Sequence, residues 1–259
     1  MLNWVLDLDI VWMVLVVSAA TALITAGIWA LVIWLASGGR AATLKGFSPG
    51  MLPPMGLVFG LLVGFTAAHV WGGTDRAQVA VNQEASALRA TTLVMGSFPG
   101  APQARVDGLI RRHIEQAANV EWPEMASQTA TLTVVPTELA QAVQTVLALV
   151  PQTDGQRVAQ REALVSLQTA LDARRQRIIL SESAINWANW VAVLAVAVLT
   201  LFAIAVVHAD NRGTAALAMG LFAAAVAVCF VLLTAQDRPF DGQFGVGPDV
   251  LVQVIPPAR

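Results

Sequence analysis

Three histidines, a pair of glutamates and one cysteine are the residues in this sequence whose chemistry invites attention. His69, His113 and His208 lie far apart and lack the close spacing of metal ligands. His113 stands among apolar residues at helical spacing, which favours a hydrogen-bonded core histidine over a ligand. The lone cysteine, Cys229, excludes an internal disulfide and a cysteine-based zinc site.

Glu121 and Glu124 flank a Trp-Pro pair at which a helix could kink. Two carboxylates three residues apart could share one helix face. A solvated or capping role is nevertheless the favoured interpretation. The sequence contains no phosphate-binding loop, dinucleotide fingerprint or nucleophile elbow. We therefore expect no enzyme activity, no catalytic or metal site and no cofactor.

The composition is that of an integral membrane protein. Hydrophobic residues make up 56% of the 259 residues and charged residues only 12%, whereas a soluble globular domain carries roughly 25% charged residues. The net charge of −2 provides no attraction for a polyanion. Nucleic acid is therefore excluded as a partner.

Four stretches contain no charged residue and are long enough to cross a bilayer. Hydrocarbon disfavours an ionised side chain by about 2.5–3.5 kcal/mol, and a helix needs about 20 apolar residues to span it. The apolar runs are continuous, which favours helices over alternating barrel strands. We predict membrane helices near Val11–Leu35, Pro54–Trp71, Ile185–Val207 and Thr214–Thr234.

The segment between the second and third spans balances acidic and basic residues, as a water-exposed domain does. Proline and glycine divide it into helices near 75–97, 103–128, 137–150 and 155–182. The first should continue the second span, and the last should run into the third span because no break residue intervenes. Apolar residues at helical spacing form the predicted core: Val106, Leu109, Ile110, His113, Ile114, Ala117, Val120, Leu139, Val143, Val146, Leu147, Val150, Leu164, Leu167 and Leu171.

The predicted fold class is thus an all-α membrane protein with four transmembrane helices and a helical-bundle insert between the second and third. The domain boundaries are 1–72 for the first two spans, 73–182 for the insert, 183–236 for the last two spans and 237–259 for a C-terminal tail.

Small residues recur every four positions along the second span, at Gly56, Gly60, Gly64, Ala68 and Gly72. A face of small residues lets another helix backbone approach closely. One interpretation is packing against a neighbouring helix of the same chain. The other is a helix at an oligomer axis that lines a pore.

In the pore interpretation, Phe59, Val63 and Phe65 are candidate constriction residues, because apolar rings can gate by dewetting. The interiors of the spans contain no ionisable residue. Proton pumps and ion-coupled transporters need such groups. Their absence disfavours active transport but is compatible with a passive channel.

Charged residues follow the second and fourth spans at the expected water boundary. Asp75 and Arg76 come after the second span, and Asp237 and Arg238 come after the fourth, where Pro239 should end the helix. Charged anchoring at a helix stop is the simpler interpretation. A charged ring at a pore mouth is the alternative, and it requires an oligomer.

The layout resembles that of a bacterial membrane-protein family of unknown function described as bestrophin-like, over nearly the whole chain. The resemblance implies similarity to bestrophins, pentameric anion channels whose second span lines the pore. The sequence has glycines where bestrophins have a phenylalanine-rich neck, and it lacks a dense acidic calcium clasp, so calcium gating is not implied. The local patterns that carry the resemblance are Gly56–Trp71, Glu121-Trp122-Pro123, Ala173-Arg174-Arg175-Gln176-Arg177 and Asp237-Arg238-Pro239-Phe240-Asp241-Gly242.

Two functional hypotheses follow. The leading one is an oligomeric protein of a bacterial inner membrane that conducts small ions, by resemblance anions, passively. The competing one is a structural or accessory subunit that binds a partner complex through the glycine-rich helix and the insert. The expected partners are the lipid bilayer and either identical copies or a membrane protein complex.

An even number of crossings places both termini and the insert on one side of the membrane. The two short loops on the other side carry Arg40, Lys45 and Arg212 against Asp210 alone. The positive-inside rule places such loops in the cytoplasm. The arginine-rich motif before the third span favours the opposite orientation. We expect an extracytoplasmic insert.

Overall fold

The computed structural model describes residues 10–35, 48–183, 185–242 and 245–257. Within these ranges the regular secondary structure is helical and no strand is present. A 3-10 turn precedes α2 at Pro49–Met51, and a π-helical turn at Ala117–Glu121 joins α3 to α4. The α-helices are α1 (Ile10–Leu35), α2 (Leu52–Met95), α3 (Ala101–Gln116), α4 (Trp122–Ala126), α5 (Thr137–Leu147), α6 (Asp154–Ser181), α7 (Trp187–Val207), α8 (Arg212–Ala235) and α9 (Asp249–Val252).

The four predicted spans are confirmed. α1, α2, α7 and α8 are each long and apolar enough to cross a membrane. α2 is one continuous helix of 44 residues, which confirms that the second span continues into the insert. Prolines 53 and 54 lie in its first turn, where a missing backbone N–H costs no intrahelical hydrogen bond. The predicted cytoplasmic loop residues Arg40 and Lys45 lie outside the described residues.

The prediction that the last insert helix runs into the third span is wrong. α6 ends at Ser181 and α7 begins at Trp187, and the described residues between them are not helical. The side chain of Asn186 accepts a backbone N–H from the first turn of α7. Asp237 Oδ1 accepts the backbone N–H of Ile185 at 2.8 Å. Polar caps, rather than a proline or glycine, therefore separate the two helices.

The described residues form two compact units. The membrane unit comprises those within Met1–Trp71 and Ile185–Asp237, and the insert unit comprises those within Gly72–Ala184 and Arg238–Arg259. In the membrane unit α1 packs against α7 and α8, with Ile28 and Val32 in the contact. Phe59 of α2 packs against other parts of α7 and α8. The four spans thus share apolar contacts centred on the last two helices.

The core of the insert unit brings together α2, α3, α5 and α6, as the apolar stripes predict. Most of the predicted core of α3 is buried, with Ile110 and Ile114 fully so. Three predicted core residues are instead exposed: Val120 by 47%, Leu147 by 53% and Val150 by 76%. Leu147 is the last residue of α5 and Val150 lies beyond it, so the stripe extends past the part of the helix that packs.

This difference in burial gives a matched test of the core. We expect Ile110→Asp to unfold the insert, because it removes roughly 1.5–3 kcal/mol of apolar burial and places an unpaired charge in the core. Leu147→Asp should change stability by no more than about 0.5 kcal/mol, because its side chain is half in solvent. Thermal unfolding in detergent, followed by circular dichroism, measures both. Equal effects of the two substitutions would contradict the packing described above.

Candidate functional site

The glycine face of α2 meets open space within the described part of the chain. A Cβ atom added at Gly56, Gly60, Gly64 or Gly72 would have no neighbour within 4 Å outside its own helix backbone. Ala68 is also exposed. Packing of these glycines against another helix of the same chain therefore finds no support among the described residues. The face is available to lipid or to a second molecule.

Two of the three candidate constriction residues share one face of α2, and the third lies on another. Phe59 is only 7% exposed, and its ring centroid lies 5.3 Å from that of Phe222 on α8. Val63 is partly buried against the same apolar cluster. Phe65 is 72% exposed. Of the three, only Phe65 lies on the open side of the helix in a single chain.

The charges at the span ends differ in their surroundings. Asp75 and Arg76 are exposed on α2, and Arg76 Nε donates to a carbonyl one turn earlier at 2.9 Å. Asp237 is buried and accepts the N–H that precedes α7. Arg238 forms an ion pair with Asp241, with 3.2 Å between Nη1 and Oδ2. Asp75 and Arg76 thus face solvent, whereas Asp237 and Arg238 hold structure within the chain.

A buried group of charges lies at the centre of the insert unit. Arg177 is fully buried; its Nε donates to Glu84 Oε2 at 2.9 Å and its Nη2 to Glu121 Oε2 at 2.8 Å. Its guanidinium carbon lies 4.5 Å from the ring centroid of Trp122, close enough for a cation–π interaction. Its Nη1 lies 3.4 Å from the sulfur of Met125. Every side of this guanidinium therefore has a partner.

Two further residues complete this charged centre. Arg174 Nη2 lies 2.6 Å from Glu121 Oε1, and His113 Nε2 lies 2.9 Å from Glu84 Oε1. The two carboxylates and two guanidiniums balance in charge. Buried charges are tolerated only when they are paired and hydrogen-bonded in this way. The interpretation of His113 as a hydrogen-bonded core residue is confirmed, and that of Glu121 as a solvated or capping residue is wrong.

The ion pairs keep these groups ionised. Burial alone raises the pKa of Glu84, but the charge of Arg177 and the hydrogen bond with His113 outweigh it and lower this pKa to about 2. Burial also raises the pKa of Glu121, and the charge of Arg177 with the hydrogen bond from Arg174 lowers it below its ordinary value. Burial lowers the pKa of Arg177, but the nearby carboxylates of Glu84 and Glu121 outweigh burial and raise this pKa above its ordinary value.

Four separate segments supply the charged centre. Glu84 comes from α2, His113 from α3, Glu121 from the π-helical turn and both arginines from one face of α6. Sequence reasoning missed Glu84, although a lone acid among Ala77, Ala80, Val81, Ala85 and Leu88 was a signal of a buried partner. The described residues hold no group of three or more histidine, cysteine, aspartate or glutamate side chains that could bind a metal. The arrangement is thus suited to holding the segments together.

The C-terminal segment packs into the insert unit beside this centre. Trp122 Nε1 donates to the carbonyl of Val246 at 2.8 Å, and its ring meets that of Phe240 edge to face, with centroids 5.9 Å apart. Arg111 donates to the carbonyl of Pro256. The segment that the sequence sets apart as a tail therefore contributes to the core of the insert unit.

The fold and the open face of α2 define a class: a helical, polytopic membrane protein with a large helical insert. The crystal structure of a bacterial bestrophin homologue from Klebsiella pneumoniae, phased with zinc, matches with a TM-score of 0.69 and 11% identity, over 92% of this chain and 95% of the other. A mutant of that homologue matches with a TM-score of 0.69 and 10% identity, over 93% and 96%. At identities this low, the structural matches establish a common fold and nothing more.

A family model described as the Bestrophin-like domain matches residues 18–251. The chain therefore belongs to the Bestrophin-like family. No curated protein matches the sequence.

The low pKa of Glu84 leads to a test of the charged centre. Because this pKa, about 2, lies below the ordinary value of 4.5, ionised Glu84 stabilises the fold fully above pH 4.5. That contribution is lost as the pH falls towards 2. We expect Glu84→Gln to lower the free energy of unfolding by about 3–5 kcal/mol at neutral pH. It should also flatten the pH dependence between 4.5 and 2.

Unfolding of the full chain in detergent at a series of pH values measures both effects. The matched control is Glu162→Gln on the exposed side of α6, which should leave stability and its pH dependence unchanged. A Glu84→Gln variant as stable as the wild type would show that the ion pair with Arg177 does not hold the insert together.

Proposed function

We propose that the protein is a homo-oligomeric membrane channel through which small ions pass passively along the open face of α2. The observation that carries the proposal is the uncharged glycine face of this span, which no other described part of the chain covers. Lipid provides no hydrophobic force for helix association, so small-residue faces in membranes gain most from close contact with another helix. Identical copies would bring these faces together around an axis.

The distribution of charge supports passive conduction. The described spans have no acidic or basic residue in their interiors, whereas coupled transport relies on such groups. The resemblance to bestrophins implies that the conducted ions are anions.

The competing proposal is an accessory subunit that presents the same face to a different membrane protein. The exposed glycines are compatible with it, because a foreign helix could also approach them. The two functions differ in one measurable property. A channel conducts when it is reconstituted alone, and an accessory subunit does not.

Flux assays with matched glycine variants test the proposal. Wild-type protein in liposomes should dissipate a chloride or potassium gradient. Gly60→Leu should abolish this flux, either by obstructing the path or by disrupting the contacts between copies. Gly220→Leu in α8 should conduct as the wild type does. Both glycines have open space for a side chain within one chain, so neither substitution should lower the thermal stability. No flux from wild-type protein across anions and cations would remove the channel proposal and favour the accessory subunit.

The sidedness of the insert is a separate proposal: we infer that it is extracytoplasmic. The short loops carry Arg40, Lys45 and Arg212 in the sequence, which favours a cytoplasmic location for those loops. The opposing signal was the arginine cluster before the third span. Arg174 and Arg177 are buried in ion pairs, so their presence has a structural explanation that requires no cytoplasmic insert.

Cysteine labelling in intact cells tests this orientation. In a Cys229→Ala background, Val150→Cys places a thiol at a position that is 76% exposed on the insert. A membrane-impermeant maleimide should label it, and it should not label Asp210→Cys in the loop between α7 and α8. The reverse pattern would place the insert in the cytoplasm.

A further inference from the structure

We propose that neighbouring copies bind through two exposed helix faces of the insert unit, α2 around Arg89 on one copy and α6 around Asp172 on the next. The inference rests on the proposed oligomer and names the surfaces that assemble it. Each surface consists of apolar residues that flank a single charge, and the two charges are opposite.

The surface on α2 consists of Val79, Arg89 and Leu93. Val79 is 55% exposed and Leu93 is 70% exposed, and Arg89 is exposed between them. Val79 and Leu93 are two heptads apart, so they lie on nearly the same side of the helix. No described part of the same chain covers them. Apolar residues at this spacing on a water-facing helix are typical of a helix-packing surface.

The surface on α6 has the same form. Val165 is 49% exposed and Ile179 is 50% exposed, and exposed Asp172 lies midway between them at heptad spacing. Asp172 also lines a surface cleft with Leu132, Leu171, Arg174 and Arg175, and Arg174 is already paired with Glu121.

The two charges have no partner of their own within the described residues. Neither Arg89 nor Asp172 takes part in an ion pair there, in contrast to Arg157 and Asp154, which are paired on the same exposed surface of α6 at 3.0 Å. An ion pair between copies would satisfy both. Pairing of the α2 surface with itself would instead bring Arg89 against Arg89, which is unfavourable.

The contact between Glu84 and Arg177 gives a common reference level for the two surfaces. α2 and α6 run in opposite directions within the insert unit, since Glu84 contacts Arg177 and the carbonyl of Ser97 accepts a hydrogen bond from Gln156. Arg89 is five residues after Glu84, and Asp172 is five residues before Arg177. At a rise of about 1.5 Å per residue, both lie about 7.5 Å from the same contact, in the same direction.

The apolar residues match on the same scale. Counted from the contact between Glu84 and Arg177, Val79 and Ile179 differ in level by three residues, or about 4.5 Å. Leu93 and Val165 differ by the same amount. Apolar side chains bridge such an offset readily. Copies related by a rotation axis parallel to α2 keep equivalent residues level, so all three pairs can form together. Because the two surfaces differ, each copy binds one neighbour with α2 and another with α6, the heterologous arrangement that forms a ring when its rotation closes.

A charge exchange tests the inference. Arg89→Asp and Asp172→Arg should each weaken the oligomer, with about a tenfold rise in the concentration at which it dissociates in detergent, which corresponds to about 1.4 kcal/mol. The double variant should restore the wild-type value, because the ion pair re-forms with its charges exchanged. Arg105→Asp, on an exposed part of α3, is the matched control and should have no effect. Native mass spectrometry and light scattering measure the mass.

Engineered cysteines provide a second readout. In the Cys229→Ala background, Val79→Cys with Ile179→Cys should give covalently linked multimers with a short bismaleimide, which spans the offset of about 4.5 Å between the two positions. Mixed single variants, one copy bearing each cysteine, should give linked dimers. A stable, conducting oligomer that is unaffected by the charge exchange and does not cross-link would overturn this inference and leave the proposed function standing. A wild-type protein that is monomeric would overturn both.

Discussion

The positive charge of Arg177 in the interior of the insert is the constraint on which the arrangement of its helices depends. A guanidinium taken out of water loses several kcal/mol of solvation unless carboxylates and other acceptors replace the water. Here Glu84 and Glu121 supply those acceptors from two segments far apart in the sequence. A shift of either segment by one residue would withdraw a carboxylate and leave a buried charge uncompensated. The pair thus specifies the register of α2, the π-helical turn and α6, which apolar packing alone would define less sharply.

The tryptophan beside this charge extends the constraint to the C-terminal segment. The guanidinium of Arg177 lies over the ring of Trp122. The same indole packs edge to face with Phe240 and donates its N–H to the carbonyl of Val246. Each interaction uses a different part of the indole, so they do not compete. Pro123 is the second residue after the π-helical turn, whose wider winding sets the positions of Glu121 and Trp122. The Glu-Trp-Pro motif thereby links the charged centre to the last residues of the fold.

The sequence was sufficient to predict the membrane spans, because the absence of charge that hydrocarbon requires can be seen within each stretch by itself. It was also sufficient to predict the continuity of α2, since no proline interrupts this helix after its first turn. The break before α7 could not be predicted in the same way, because Asp237, far along the chain, caps the backbone at Ile185. The role of Glu84 depends on partners 29 and 93 residues away. The glycine pattern of α2 was visible, but only the structure shows that no described residue of the chain covers it.

The open side of α2 passes from hydrocarbon into water, and the forces available to a partner change along it. In hydrocarbon the exposed glycines offer close backbone contact and dispersion, without a hydrophobic gain. In water an exposed ion pair contributes only about 0–1 kcal/mol, whereas burial of Val79 or Leu93 contributes roughly 1.5–3 kcal/mol each. Neither medium alone provides a strong and specific contact. A continuous helix can combine them: apolar burial in the insert supplies affinity, the opposite charges define the level, and the glycines let the membrane parts approach closely.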